Sequence, residues 1–440
     1  MRIFSLDRPV FVAASLALAF NASPSQAQWQ APAYELRLRP DFETKTVAAQ
    51  AVVSLRRGAQ LEDELRLSAP ALEIHSAGVD GIALSPEKHD GYWLIKMPPL
   101  LAARLDMSLK LDYLARAGEG LVFGPDYVYT AFHTCRWLPC LGSDLGRASL
   151  KTTLELPAGF SSLASGVPVA PQPVEQQQQQ QWLEAAPYPL YTLGFAAGRF
   201  TRTSQSVDGK ELHYLSVGDD AAALQSKFKT TPAMLAFFSA KAGLTLPHPA
   251  YSQLLLPGGV AQEMSSYAAI GHKMLDPILE NEQEDWVIAH ELAHQWWGTW
   301  ISCEQWSEFW LNEGITVFMT AAWKQQRWGE AAYQRELDIA TRGWQRAKDA
   351  GFDKPLSWPG DYPSLSLKRS IHYSKGALFM HALRQDMGEE AFWAGFKRYS
   401  QNNAGRQVRA GDLQAAMEAA AGRSLQPLFD AWVYAASTGQ

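Results

Sequence analysis

Polar and apolar residues alternate along the first half of the chain. Tyr34-Glu35-Leu36-Arg37-Leu38 and Leu150-Lys151-Thr152-Thr153-Leu154-Glu155-Leu156 have the period of two that a half-buried strand requires. The pattern holds from Trp29 to about Arg199, so residues 28–200 are expected to form a β-rich N-terminal domain. Six consecutive glutamines between Glu175 and Gln181 interrupt it, and they are expected to form a long hairpin loop without a functional role.

After Phe200 the period lengthens to that of helices. Residues 221–242 carry a helical repeat stopped by Gly243, and residues 285–297 a second one stopped by Gly298. Residues 251–256 between them read as a short strand. From Trp310 onward helical patterns dominate. The expected fold class is therefore α+β, with the β-rich domain followed by a mainly helical one over residues 201–440.

Composition narrows the function classes. The chain has 440 residues, 47% hydrophobic and 19% charged, enough apolar side chain for two or three cores. Its formal net charge is −6, with Lys and Arg spread along the chain, so no basic face for nucleic acid is expected. At the N-terminus Arg2 and Arg8 flank a short apolar stretch, residues 10–20. Ser25-Gln26-Ala27 follows as a small-x-small cleavage pattern. Those apolar residues fall well short of the roughly 20 that a spanning helix needs. Residues 1–27 thus read as a cleaved signal peptide, and the product is expected to be exported, periplasmic or secreted, without a membrane span. Cleavage takes the net charge from −6 to −7. Cys135 and Cys140 lie five apart, and either a disulfide or two packed thiols fits that spacing. Cys303 reads as a small buried residue.

The candidate chemistry lies in His290-Glu291-Leu292-Ala293-His294. On a helix, positions i and i+4 share a face, so two imidazoles can bind one cation while Glu291 projects beside it. Glu313, in Trp310-Leu311-Asn312-Glu313-Gly314, follows His294 after eighteen residues. Two His and one Glu make the ligand set of a catalytic Zn2+, with a fourth position left for water. One Zn2+ per chain is expected, held by His290, His294 and Glu313. The six Trp between 286 and 310 read as packing around that site.

The run His-Glu-Leu-Ala-His-Gln-Trp-Trp-Gly followed by Trp-Leu-Asn-Glu-Gly closely resembles the aminopeptidase N family of gluzincin zinc metallopeptidases, relatives of leukotriene hydrolase. Ile371-His372-Tyr373-Ser374-Lys375-Gly376 resembles the family's Tyr-x-Lys-Gly segment, sixty residues after the Glu ligand. Residues 191–200, Cys135-Arg136-Trp137-Leu138-Pro139-Cys140 and Leu428-Phe429-Asp430-Ala431-Trp432-Val433 resemble further family segments, so nearly the whole mature chain is covered. The resemblance implies a β-saddle domain packed on a thermolysin-like catalytic domain. It also implies a short form without the family's C-terminal helical domain, because the chain stops at Gln440, and hence a less covered cleft.

For mechanism, the resemblance implies hydrolysis of a peptide or protein substrate by metal-activated water. Glu291 is the general base, and Tyr373 the donor to the developing oxyanion. An aminopeptidase must also neutralise the substrate's free ammonium. Here the family's Gly-Ala-Met-Glu-Asn element reads Ala261-Gln262-Glu263-Met264, which keeps Glu263 but loses its flanking Gly and Asn. The acidic or amide partners expected seven and five residues before Arg136 are Tyr129 and Ala131. Gly258 and Gly259 lead into the same segment, whose backbone is expected to pair with an extended substrate. A degraded amine anchor leans the reading toward endopeptidase or mixed action, with aminopeptidase as the alternative. Lys273, Arg342, Lys368 and Arg369 would favour an acidic substrate side chain if they face the cleft.

Overall fold

The structure, a computed structural model, describes residues 29–58, 63–101, 104–169 and 178–434. The expected signal peptide, residues 1–27, lies outside them.

The alternating N-terminal pattern folds into three sheets. The largest runs in the order Val167–Val169, Gln178–Pro189, Arg147–Leu156, Trp29–Asp41, Thr46–Arg57, Asp106–Arg116, Leu72–Val79, Ile82–Leu84. Only the central Trp29–Asp41 and Arg147–Leu156 pair is parallel; the rest is antiparallel. Along Trp29–Asp41 every second residue from Tyr34 to Leu38 is buried and those between are exposed, as a one-sided sheet requires. Two four-stranded sheets complete this unit. Gln178 to Gln181 are not loop. They open the Gln178–Pro189 strand and pair with Leu156 to Thr153. Periodicity could not reveal this, because a run of identical residues has none. The strand is fixed by its partner and by Gln180, whose side-chain Oε1 accepts from Ser162 N at 2.7 Å.

The last strand of this unit is Phe195–Gly198, and Thr201–Val207 opens another sheet. That sheet has five strands where the sequence showed one. Thr201–Val207, Lys210–Ser216, Ala250–Leu256, Tyr267–Gly271 and Ala261–Met264 lie side by side in this order. Ala261–Met264 is the outermost, and among the described strands it pairs only with Tyr267–Gly271. Helices then take over, and a second large core forms around Trp296, Trp297 and Trp310, all fully buried. Trp286, Trp300 and Trp306 pack against that core from its margin.

The predicted helix over 221–242 is two helices, Ala221–Lys227 and Thr231–Ala242, ended at Gly243 with φ +64°. The helix expected over 285–297 is shorter, Trp286–Ala293. Among the described residues no helix is long and apolar enough to cross a membrane. Cys135 and Cys140 are joined in a disulfide with Cα atoms 5.2 Å apart, and Cys303 is buried and free.

Candidate metal centre and active site

The helix Trp286–Ala293 carries His290 and Glu291, and His294 follows as its C-cap, still in right-handed helical conformation. Its amide bonds back to the carbonyl of His290 at 3.2 Å, so both imidazoles remain on one face. Just beyond, the chain leaves the helix through a turn that serves the site. His294 Nδ1 lies 2.9 Å from the carbonyl of Trp297 and donates to it, which leaves Nε2 as a lone-pair donor for a cation. The turn requires Gly298. Its φ is +122°, and a Cβ there would lie 2.4 Å from His294 Nδ1.

Glu313 comes from the first turn of the Trp310–Trp328 helix. Its neighbour Gly314 faces Gly376, the first residue of the Gly376–Met387 helix, and a Cβ at 314 would lie 2.7 Å from Gly376 Cα. The glycines of the two motifs thus touch, which lets the segment carrying Tyr373 come up against the one carrying Glu313. Tyr373 lies in a π-type turn, Ser370–Lys375, a local widening of the helix often found at functional sites. Its ring stacks on His290 with centroids 6.2 Å apart and planes 15° from parallel.

Three buried donor atoms converge. His290 Nε2 and His294 Nε2 are 3.1 Å apart, and Glu313 Oε2 is 3.3 Å from the first and 3.4 Å from the second. Ligands at ordinary Zn–N and Zn–O lengths in a tetrahedral shell stand about 3.3 Å from one another, so the spacing is that of a zinc site. The orphaned atoms agree: Glu313 Oε2 and Glu291 Oε2 are buried without a hydrogen bond, a costly state unless a cation or water meets them. The residues present fit the metal.

The electrostatics demand positive charge at this point. Burial and the nearby carboxylates Glu263 and Glu313 hold Glu291 well above the usual carboxylate range. Glu263 is pushed up to about 7, chiefly by burial, while Glu313 is held low by His294 and His290 despite its burial. Burial opposes a proton on His294, yet Glu263 and Glu313 outweigh it and raise its pKa to about 10. Burial, with Glu313 and Glu263 adding to it, pushes Tyr373 well above 10, so its hydroxyl keeps a proton to donate.

Glu263 faces this centre from the edge strand Ala261–Met264. Its carboxylate oxygen, a carboxylate oxygen of Glu291 and a ring nitrogen of His294 all lie within 4.8 Å of one another. The strand is pinned on both sides. Gln295 Nε2 donates to Met264 O at 3.0 Å; Gln262 donates to Tyr191 O at 3.1 Å and accepts from Phe132 N. Gly258 and Gly259 lie in the more exposed approach to the strand, and the Gly258 carbonyl is already taken by Lys273 N at 3.0 Å. Tyr129 sits in the strand Tyr127–Thr130, buried between Leu121–Phe123 and Phe195–Gly198, with Ala131 just after it.

Sequence reasoning missed a supporting network. Tyr191 of the β-rich unit donates its hydroxyl to Gly298 O at 2.8 Å and accepts from Asn312 Nδ2 at 2.9 Å; Asn312 Oδ1 accepts from Cys303 N at 2.8 Å. This chain ties the turn behind His294 to the helix of Glu313. Asn312 and Gly298 stood inside the motif segments and Tyr191 opened the family-like segment 191–200, but nothing local in any of them pointed to this contact.

Comparison with known proteins matches residues 227–432 to the family model described as the peptidase family M1 domain. Residues 227–432 thus form a domain of the peptidase family M1 type. Aminopeptidase M1-B of Oryza sativa subsp. japonica is 26% identical over 93% of this chain and 51% of its own length. Aminopeptidase N of Lactococcus lactis subsp. lactis is 23% identical over 67% of this chain and 37% of its own. The chain thus spans about half, or less, of the curated M1 relatives it matches. Among solved structures, an M1 zinc metallopeptidase from Deinococcus radiodurans aligns with TM-score 0.77 at 20% identity, covering 94% of this chain and 96% of that one. Yeast LTA4 hydrolase aligns with TM-score 0.77 at 18% identity, over 92% and 68%. The two-domain architecture is that of these M1 peptidases.

Proposed function

We propose that the protein is a zinc-dependent peptidase that removes residues from the free N-terminus of peptides, holding one Zn2+ per chain at His290, His294 and Glu313. Bound there, the metal supplies Lewis-acid polarisation of the scissile carbonyl and acidification of water. Glu291, on the same helix face but outside the ligand triangle, takes the water's proton and passes it to the leaving amine. Tyr373 donates to the carbonyl oxygen as negative charge develops on it.

The observation that carries the exopeptidase reading is the placement of Glu263. In a substrate cleaved at its first bond, the α-nitrogen stands about 2.5 Å from the scissile carbon. An amine anchor must therefore lie within a few ångströms of the catalytic base, and Glu263 lies within 4.8 Å of Glu291. A buried carboxylate beside two others is costly, and an incoming ammonium relieves that cost. The names of the curated relatives, mostly aminopeptidases, support the same reading. So does a neighbour of TM-score 0.74 and 20% identity, solved with a Tyr-Ser-Ala substrate.

One observation favours endopeptidase or mixed action as the second reading. Tyr129 and Ala131 offer no carboxylate to share the ammonium, and the strand Ala261–Met264 has an outer edge that can pair with an extended chain on either side of the cut bond. Glu263→Ala separates the two. It abolishes cleavage of free-amine peptides under the first reading, whereas near-normal turnover of them removes Glu263 from the anchoring role.

Export of the mature chain from Gln28 is part of the proposal. The signal-like N-terminus and the Cys135–Cys140 disulfide, which suits an oxidising compartment, support it. The intact mass of the protein recovered from the extracytoplasmic fraction tests it.

A further inference from the structure

The four cations singled out in the sequence separate in the structure. Lys273 and Arg342 are exposed to solvent. Lys368 is half-buried, its ammonium 5.3 Å from the ring centre of Trp306 and 5.5 Å from that of Phe309. It has neither a hydrogen-bond acceptor nor an ion pair among the described residues. Two carboxylates whose charge reaches it are turned to other partners: Asp144 accepts from Trp306 Nε1 at 3.1 Å, and Glu313 faces the two histidines. Arg369, next along the chain, is also half-buried, and its charge is felt at Tyr373.

Phe309, the platform under Lys368, is the N-cap of the helix that carries Glu313, and it touches Tyr373 with centroids 6.5 Å apart. His372 packs on the same ring at 6.0 Å, and Tyr362 packs on His372 at 5.1 Å. Both ring nitrogens of His372 and the hydroxyl of Tyr362 are buried without a hydrogen-bond partner. Along the row of rings Phe309, His372 and Tyr362, whose first member also meets Tyr373, the fold therefore places an unpaired ammonium, an imidazole N–H and a phenolic O–H, all with unmet capacity to donate. Buried polar groups in native proteins are nearly always satisfied, so such a group of donors indicates a missing acceptor. A carboxylate is the peptide group that meets an ammonium and neutral donors together.

We propose that Lys368, backed by His372 and Tyr362, forms a subsite for a carboxylate of the peptide substrate on the Tyr373 side of the candidate metal centre. The subsite rests on the peptidase reading above, and it extends that reading from reaction to substrate class: short peptides held by their C-terminal carboxylate, or peptides with an acidic side chain. Burial disfavours the charge of Lys368, an unfavourable state that an incoming carboxylate relieves.

The test uses zinc-loaded protein and three pairs of peptides, each pair differing by one carboxylate: Glu against Gln at the first residue, Glu against Gln at the second, and a free against an amidated C-terminus. The wild type should favour the carboxylate member of one pair by about ten- to a hundredfold in kcat/KM, the range of a charge-assisted hydrogen bond. The preferred pair tells side chain from C-terminus. Lys368→Met should bring that ratio close to one and Lys368→Arg should retain most of it. Absence of any preference, or a preference that Lys368→Met leaves intact, overturns the subsite while cleavage of the neutral peptides leaves the peptidase reading standing. Calorimetric titration of the same pairs into the zinc-loaded Glu291→Gln protein reads the subsite without turnover. Equal affinities within every pair there overturn it even if no peptide is cleaved, and a carboxylate preference abolished by adding Lys368→Met supports it.

Discussion

Gly298→Ala tests how the turn behind the zinc helix controls the metal. An L side chain at φ +122° costs on the order of 1–3 kcal/mol before any contact is counted. The new Cβ would stand 2.4 Å from His294 Nδ1, where ordinary contact begins at 3.4 Å. Either the imidazole or the turn must then move by roughly an ångström. Any such shift breaks the 2.9 Å bond from Nδ1 to Trp297 O that orients the ring. Loss of a metal ligand's hydrogen-bond partner typically lowers metal affinity 10- to 100-fold, about 1.4–2.7 kcal/mol. Competition of the variant with a zinc-chelating dye should show that loss. Thermal melting of the metal-free protein should show a separate destabilisation of about 1–3 kcal/mol. A folded variant that binds zinc with wild-type affinity would refute the reasoning, because His294 would then be oriented by something other than this turn.

Four further outcomes follow from the same geometry. Tyr191→Phe removes the hydroxyl that links Gly298 O to Asn312 Nδ2 and should weaken zinc binding by about tenfold while leaving the backbone of the turn intact, as read by the same dye competition. Glu291→Gln should keep its zinc, measured by elemental analysis, and lose roughly 10²–10⁴ in kcat. Tyr373→Phe should lower kcat by about 10²–10³ with KM little changed, because its donation matters only as the oxyanion forms; an equal rise in KM would make it a binding residue instead. Chelation should lower the melting temperature, and zinc in excess should restore it, because an ion bound only by the folded chain stabilises it by mass action.

How much of this was legible beforehand depends on how local each signal is. The proposed zinc ligands His290 and His294 share one helix face by their spacing alone, and Glu313 was picked out beside them by its motif, so all three were legible in the sequence. The alternating β pattern was equally readable, because burial on one side of a sheet writes a period of two. The strands Thr201–Val207 and Lys210–Ser216 were missed because neither writes an apolar period of two: the first is almost wholly polar with no fully buried residue, and the second ends in three consecutive buried ones. Gln178 to Gln181 were misread because strand pairing, not side-chain pattern, decides their conformation. Tyr191, Gln262 and Lys368 stood in segments the sequence singled out, but what each touches depends on contacts between distant segments, which no local pattern encodes. Gly314 and Gly376 are an intermediate case: each stood in a motif, but the reason for both is their mutual contact.

The most direct test of the account is cleavage of one peptide series in two forms, free-amine and N-acetylated, by zinc-loaded protein with and without a chelator. Stepwise release of N-terminal residues is expected from the free-amine form only, stopped by the chelator and restored by zinc. Internal cleavage of the acetylated peptides would contradict the anchoring role of Glu263, and chelator-insensitive cleavage would contradict the metal centre itself.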